Sequence, residues 1–487
     1  MRGLLLVMSI FLPVAGGIIL MLRPTGTEMG RRIWCEAFTI ASSVCVWLLL
    51  FGGRLAPFAL YSFTRGFALT LHSDGLSMLF AGMVSLMWPF VTLFAYEYMN
   101  GVAHRNAFFA FYLITYGFTL GMAFSGDALT LYVFFEMLSL ITIPLVTFNQ
   151  DHESMYSGRL YAGYVIAGAA IGFIPVVVTT MYGAGPFTYG GHSFSAHPQG
   201  LIGLMFLCAF FGFGVKAAVF PQHRWLPAAT VAPTPVTALL HAVAVVNSGV
   251  FAIMRMVWYV FSPEAIEGTW AHHIALGTAI FTLVFAAVCA VRERHFKKRL
   301  AYSTISNLSY MLYGVLLLNA QGLRAGMAHM LFHGVIKMSL FLCAGAFLHE
   351  TGCAYIYQIN GAGRKMPRIF VFYTCGALSL TGVPMFCGFI SKWNLLLAGA
   401  SSGTILGYTG MAALIVSAFL CAIYTISVSI RAFFPMAGTD RWKGTDLRDP
   451  NWRMIVPIGL FTAANIYFGL FPMPILTFLG KVAEGIL

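Results

Sequence analysis

The stretch HMLFHGVIKMSLFL, from His329 to Leu342, places two imidazoles and an ammonium four residues apart in an otherwise apolar segment. With about 3.6 residues per helical turn, His329, His333 and Lys337 project from one helix face, each about one turn after the last. A lysine near the bilayer centre costs about 2.5 to 3.5 kcal/mol to insert, so an ionisable row in a membrane helix indicates a functional site. The stretch therefore predicts a membrane-spanning helix with titratable groups.

The rest of the chain has the composition of a membrane protein. Its 487 residues are 59% hydrophobic and 9% charged, and apolar runs of about 20 residues recur from end to end. We predict an all-α polytopic membrane protein with a single transmembrane domain over residues 1–487 and about 14 spans, numbered in chain order. The predicted spans begin near Leu4, Ile33, Gly75, Ala107, Ala128, Arg159, Gly200, Thr234, Ala271, Tyr302, Ala325, Arg368, Thr404 and Trp452.

The net charge of +12 is concentrated in short connections between spans. Basic residues cluster after odd-numbered spans, as in RERHFKKR from Arg292 to Arg299, and are few in the opposite connections, which include Arg255. Because cytoplasmic loops are rich in Lys and Arg, we predict that the basic side is cytoplasmic and that both termini lie on the outer side of the cytoplasmic membrane. Membrane topology explains the charge better than a nucleic-acid partner does.

The sequence lacks the signatures of bound cofactors. None of its nine cysteines forms a CxxC pair, and it contains neither a GxxxxGK[ST] loop nor a dinucleotide fingerprint after a strand, so we predict no cluster, zinc or nucleotide in this chain. Histidines at i and i+4 can chelate zinc. However, HExxH requires a glutamate where Met330 stands, and no nearby carboxylate or thiolate completes a site. A metal site is the less favoured interpretation of this pair.

Three lysines fall in the middle of predicted spans: Lys216 in span 7, Lys337 in span 11 and Lys392 in span 12. Spans 7 and 12 also contain proline close to the lysine, in VKAAVFPQHRWLP and TGVPMFCGFISKW. Helices broken at membrane depth line polar cavities, and breaks at corresponding places in two halves indicate an inverted repeat. We predict two inverted repeats, spans 4–8 (about residues 107–260) and spans 9–13 (about residues 271–435).

Glu136 in span 5 and His241 in span 8 complete the set of intramembrane candidates. A carboxylate within about 4 to 6 Å keeps a buried lysine charged, so Glu136 and Lys216 form either a charge switch or a structural ion pair. Lys337 and Lys392 have no carboxylate in their own spans, which favours function, because an unpaired buried ammonium is a poor structural device. His241 alone is more consistent with a hydrogen bond between helices, but beside lysines it can relay a proton.

Four motifs in this order resemble the antiporter-like subunit family. They are FFEMLSL around Glu136, the stretches Gly214–Ala242 and His329–His349, and LTGVPMFCGFISKW ending at Trp393. The family comprises the proton-pumping membrane subunits of respiratory complex I, the large subunits of Mrp cation/proton antiporters, and relatives in membrane-bound hydrogenases and formate hydrogenlyases. The resemblance implies two inverted five-helix repeats with broken helices 7 and 12. The short chain after span 14 departs from the most distal complex I subunit, which continues into a lateral helix.

The resemblance also implies roles for the candidate residues. Glu136 and Lys216 match a gating pair, and His241 matches a bridging position. Lys337 matches the central lysine, and Lys392 matches the exit position. His329 and His333 match the histidines that accompany the central lysine.

As a function, we expect a proton- or cation-translocating, non-redox subunit of a larger membrane complex, of the hydrogenase, formate hydrogenlyase or Mrp type. The expected partners are other membrane subunits and a peripheral hydrogenase or dehydrogenase arm, which would supply the redox chemistry. A complex I subunit and a self-sufficient secondary transporter for a cation or solute are the alternatives. The sequence leaves proton and sodium transport open.

Overall fold

The structure is a computed structural model that describes residues 2–64, 67–194 and 196–487. In these residues it is mainly α-helical, as predicted, with one antiparallel hairpin of β1 (Leu55–Thr64) and β2 (Phe67–Ser73) between α2 and α3. The helices are α1 (Arg2–Leu22), α2 (Glu28–Gly52), α3 (Gly75–Tyr98), α4 (Arg105–Ala123), α5 (Ala128–Val146), α6 (His152–Met181), α7 (Gln199–Gly214), α8 (Trp225–Ala228), α9 (Thr234–Ala242), α10 (Val245–Arg255), α11 (Pro263–Ile266), α12 (Trp270–Arg292), α13 (Phe296–Leu316), α14 (Ala320–Thr351), α15 (Pro367–Thr381), α16 (Cys387–Ser401), α17 (Ile405–Phe433), α18 (Trp452–Leu470) and α19 (Met473–Ala483).

Within the described residues, 11 helical segments are long and apolar enough to cross a membrane, with α9 and α10 counted as one segment. Predicted spans 7, 10 and 12 are not in this group. Helix α7 has only 16 residues, α13 begins with a basic run, and span 12 is divided into two 15-residue helices, α15 and α16. Because every predicted span contains a helix, the chain is a multi-pass membrane protein.

Both predicted helix breaks are present. Helix α7 ends at Gly214, and a turn and short helical segments follow before α9 begins at Thr234. In span 12, α15 ends at Thr381 and α16 begins at Cys387. Each interruption contains a proline, Pro221 after α7 and Pro384 after α15. Proline has no backbone N–H, so neither helix can continue unbroken through that position. The relation of the two halves as inverted repeats stays a prediction.

Hydropathy does not detect a further interruption, in span 8. Helix α9 ends at Ala242 and α10 begins at Val245, although the residues between them are apolar. Asn247 Nδ2 donates to the Ala242 carbonyl at 2.7 Å, so a side chain takes the place of a backbone donor in the helix ladder. Such an insertion is a recognised cause of a kink. The hairpin and the short α19 were likewise not predicted.

Helix α14 is one of two deeply buried long helical segments in the described part of the chain; the other is Thr234–Phe261, whose most apolar 18-residue window is 100% buried. In the corresponding window of α14, 94% of the residues are buried, compared with 39% for α1 and 33% for α17. Helices α9, α13, α15, α16 and α18 all pack against it. His329, His333 and Lys337 of α14 therefore face other helices rather than lipid, which is the condition under which charges are tolerated at membrane depth.

Candidate functional site

The predicted row on α14 lies inside the protein. His329 is 1% exposed, and His333 and Lys337 are fully buried. Helix α14 begins after Asn319, whose side chain accepts a hydrogen bond from the Gly322 backbone N–H at 2.6 Å, and it continues for 32 residues. The three titratable groups therefore occupy successive turns of one continuous, well-capped helix.

The Lys337 ammonium contacts α13 and an aromatic ring. Its Nζ donates to the Leu300 carbonyl at 3.0 Å and to Ser303 Oγ. Nζ also lies 5.9 Å from the centre of the Phe341 ring, and the His241 imidazole stacks on the same ring at 4.8 Å between centroids. Lys337 and His241 are thus brought to one aromatic side chain from two different helices.

His329 lies at the junction of three helices. Its Nδ1 is 2.8 Å from Ser391 Oγ on α16, and its Nε2 is 3.2 Å from Asn307 Oδ1 on α13. The next imidazole, His333, lies 6.0 Å away between ring centroids, and neither of its nitrogens has a hydrogen-bond partner among the described residues. Buried polar groups are nearly always bonded, so an unpaired imidazole here is one that a proton or a water can bind.

Lys392 is held at the break in span 12. Its Nζ donates to the carbonyls of Leu380 and Thr381, at 2.5 Å and 3.1 Å. These carbonyls end α15, where a helix has unpaired acceptors and a negative partial charge that stabilises a cation. Lys392 is 8% exposed, and it directly follows Ser391, which binds His329. The break thus supplies the acceptors that a buried ammonium needs.

Lys216 and Glu136 are brought together without a direct ion pair. Lys216 is fully buried in the turn after α7. Its Nζ donates to the Phe135 carbonyl and lies 3.6 Å from the centre of the Phe135 ring. Glu136 is the next residue, and the two charges interact electrostatically. Glu136 Oε1 is buried without a hydrogen-bond partner among the described residues. The arrangement is a near pair whose carboxylate is not committed to a structural bridge.

The connection from Lys216 to His241 runs along α9 and α10. A methyl group at Gly249 of α10 would lie 2.9 Å from Lys216 Cβ, so α10 packs directly on the lysine. His241, at the end of α9, is fully buried, and both its nitrogens lack a partner among the described residues. Asn247 lies between these positions and has an unpaired Oδ1 in the same part of the structure. Sequence reasoning did not single out Asn247.

A second buried charge cluster was also missed. Arg255, which charge counting assigned to a connection between spans, ends α10 and is fully buried. Its guanidinium binds both Asp74 oxygens, at 2.5 Å and 2.7 Å, and Ser77 Oγ at 2.8 Å. The assignment was wrong because a count of charges does not distinguish a solvated arginine from a paired one. The two partners are far apart in sequence, so local sequence patterns gave no signal for the pair.

The polar partners of the α14 row were missed for a different reason. Ser303 and Asn307 lie one turn apart on α13, facing α14, and Ser391 faces it from α16. Their spacing on the helix was a usable signal. However, serine and asparagine are common enough in membrane helices that the pattern alone does not indicate a site.

Comparison with known proteins identifies the family. Residues 125–421 match the family described as NADH:quinone oxidoreductase/Mrp antiporter, transmembrane. The chain belongs to this family. The matched region includes every candidate residue from Glu136 to Lys392, so the buried lysines and histidines lie within the part that defines the NADH:quinone oxidoreductase/Mrp antiporter family.

Among curated relatives, the chain is 28% identical over 418 residues to the putative antiporter subunit mnhA2 of Staphylococcus epidermidis, covering 80% of this chain and 51% of that protein. It is 30% identical over 398 residues to NADH-quinone oxidoreductase subunit N of Desulforudis audaxviator, covering 78% and 77% of the two chains. The chain spans only 32% to 53% of the length of four antiporter subunits that it matches.

Two solved structures share the fold. One belongs to the membrane-bound sulfane sulfur reductase, an archaeal respiratory membrane complex, with a TM-score of 0.84, 21% identity and coverage of 100% of this chain and 97% of that chain. The other belongs to the Mrp complex from Dietzia sp. DQ12-45-1b, with a TM-score of 0.84, 20% identity and coverage of 99% and 97%. Chains of this architecture therefore occur in multi-subunit membrane complexes.

Proposed function

We propose that this chain is a proton-translocating, non-redox subunit of a multi-subunit membrane complex. The observation that carries the proposal is the burial of three lysines and three histidines in the membrane-spanning part of the protein. Burying ionisable groups is costly. These groups also connect four helices: His241 of α9 stacks on Phe341 of α14, and His329 of α14 contacts α13 and α16. Family membership is consistent with this function, since relatives include antiporter subunits and a subunit of a quinone oxidoreductase.

In the proposed route a proton reaches the Glu136/Lys216 pair, passes by His241 to Lys337, and leaves through Lys392. Each lysine alternates between its protonated and neutral forms, and the charge on one group changes the proton affinity of the next. Glu136 sets the timing, because its carboxylate favours the charged form of Lys216 when the two approach. The imidazoles His333 and His329 connect Lys337 to the α16 end of the route.

We infer that the complex is of the Mrp type or a respiratory type in which a peripheral hydrogenase or other oxidoreductase arm supplies the energy. The cofactors of that arm would lie outside this chain. We also infer that the protein resides in the cytoplasmic membrane with its basic connections in the cytoplasm and its termini outside, because basic loops are retained on the cytoplasmic side.

A self-sufficient transporter for a larger solute is less well supported. Such a protein would need a polar substrate pocket at the helix breaks. The cavity beside Lys392, about 440 Å³ in volume, is lined mainly by apolar and aromatic side chains, including Phe389, Trp393, Leu414 and Phe419. This lining suits proton release at a single ammonium better than it suits a hydrated cation or polar solute.

The test is proton transport by the intact complex reconstituted in vesicles, with Lys337→Ala compared with the wild type and with Lys481→Ala, which removes an exposed lysine of α19. We expect Lys337→Ala to abolish proton movement while the other subunits still co-purify, and Lys481→Ala to have no effect. Lys337→Arg, which retains the charge but does not release a proton near neutral pH, should also be inactive. Wild-type transport by both Lys337 variants would contradict the proposal.

A further inference from the structure

Lys297 is buried in a place where lysines are normally solvated. It is the second residue of α13 and belongs to the basic run Arg292–Arg299, which extends from the end of α12 into α13. Its side chain is only 6% exposed. Its neighbour Lys298 instead points to the surface, where Nζ lies 3.4 Å from Glu153 Oε1 and the side chains of Lys298 and Glu153 are 32% and 67% exposed. Two adjacent lysines of one basic run therefore have opposite environments.

The buried ammonium contacts the segment that leads into α9. Lys297 Nζ donates to the Ala232 carbonyl at 3.0 Å, and Thr237 Oγ1 donates to the same carbonyl at 2.8 Å. Thr237 lies four residues before His241 on α9, which places the two side chains on one helix face, one turn apart. Lys297 and Thr237 thus share one acceptor, and Thr237 is one helical turn from His241.

Lys297 also shares a helix face with the groups that bind the α14 row. On α13, Leu300, Ser303 and Asn307 follow it at intervals of three or four residues, which keeps them on one side of the helix. Leu300 and Ser303 accept from Lys337, and Asn307 contacts His329. One face of α13 thus extends from the basic surface to the centre of the candidate site.

A purely structural role for Lys297 explains less of this geometry. The one hydrogen bond of its ammonium among the described residues goes to a neutral carbonyl, and no carboxylate there lies within salt-bridge distance. A buried ammonium is costly unless it is paired. An anchor for the Ala232 segment would need only a neutral donor, whereas a group that binds and releases a proton needs an amine.

We propose that Lys297 is a second proton-uptake site, which passes protons from the basic surface to His241 and Lys337 without using Glu136 and Lys216. The proposal rests on the proposed function of the α14 row. In the step, a hydronium ion at the adjoining surface gives a proton to the neutral Lys297 amine, and a water molecule remains. The resulting ammonium gives the proton up to the His241 imidazole, and the amine is restored. Each transfer breaks one O–H or N–H bond and forms one N–H bond, so no oxidant or reductant is required.

The test measures proton flux in the reconstituted intact complex. Because two uptake branches converge on Lys337, we expect Lys216→Ala and Lys297→Ala each to retain part of the wild-type flux. The double variant should fall to the level of Lys337→Ala. Lys298→Ala removes the same charge from the exposed neighbour and should transport like the wild type.

Lys297→Arg separates relay from anchoring, and it keeps a donor for Ala232 if the alanine variant folds poorly. Arginine does not release a proton at working pH, so a relay predicts that Lys297→Arg combined with Lys216→Ala is as inactive as Lys337→Ala. Flux in that combination equal to Lys216→Ala alone would overturn the inference. If Lys337→Ala itself transports normally, the proposed function fails together with the branch that feeds it. If only the Lys297 variants behave like wild type, the proposed function stands and the second uptake site is rejected.

Discussion

Replacing Asp74 by asparagine tests the physical basis of the fold at its most buried ion pair. The change keeps the size of the side chain and its acceptor for the start of α3, but it leaves the Arg255 charge without a counterion at 0% exposure. Removing one partner of a buried pair costs about 3 to 5 kcal/mol. At about 1.4 kcal/mol per factor of ten, this lowers the folding equilibrium by roughly two to four powers of ten.

The assay heats the detergent-solubilised protein to a series of temperatures and measures, by size-exclusion chromatography, the fraction that still elutes as folded protein. We expect the midpoint of Asp74→Asn to fall by about 3 to 5 °C, because an unfolding entropy of about 2.1 cal/mol/K per residue gives about 1 kcal/mol per degree for a chain of this size. The double variant Asp74→Asn/Arg255→Met should recover part of the loss, because it removes the unpaired charge. Glu153→Gln is the control at the exposed pair with Lys298, where about 0.2 to 1 kcal/mol is expected. If Asp74→Asn is as stable as Glu153→Gln, the reasoning is refuted.

Two further predictions concern the site and the basic surface. A methyl group at Gly249 would lie 2.5 Å from the Ala217 backbone nitrogen and 2.9 Å from Lys216 Cβ. Gly249→Ala should therefore displace Lys216 and lower proton flux in vesicles. Normal flux in this variant would show that the position of Lys216 is not critical. The His295 side chain caps the start of α13, and burial together with the nearby Lys297 lowers the pKa of His295 to about 4. In the unfolded chain the same histidine binds a proton near pH 6.5. Between these two values only the unfolded chain is protonated at His295, so stability should fall as pH drops from about 6.5 to 4. His295→Gln should flatten that part of the thermal-stability profile, and an unchanged slope would contradict the assignment.

The fold class was predictable because the physical constraint is strong. A bilayer requires apolar runs of about 20 residues with internally satisfied backbones, and each of the predicted spans contains at least one helix, with spans 8 and 12 divided into two. Helix ends were less predictable: α13 begins at Phe296 whereas its apolar run begins near Tyr302. Amphipathic helix ends extend beyond the hydrophobic layer, so hydropathy marks the layer rather than the helix.

The buried ionisable residues were predictable as a set, because lysine within an apolar run is rare and costly. Their partners were not predictable. Lys337 binds a backbone carbonyl and a serine on α13, and Lys392 binds the open carbonyls of a broken helix. Backbone acceptors have no sequence signature. Lys297 was passed over for the opposite reason, since it lies in the basic run Arg292–Arg299, which was assigned as a whole to a solvated connection. The structure buries Lys297 and Arg299 of that run, and Lys297 is the one that contacts the Ala232 segment.

The most direct test of the central claim is to observe the proton on Lys337 itself. Selective ¹⁵N labelling of lysine, with Lys337→Ala to assign the signal, would report whether the side chain is an ammonium or a neutral amine in the complex at rest and under an imposed proton gradient. We predict that the fraction of neutral amine changes when the gradient is applied or reversed. A Lys337 signal that stays in one protonation state while protons cross the membrane would contradict the account.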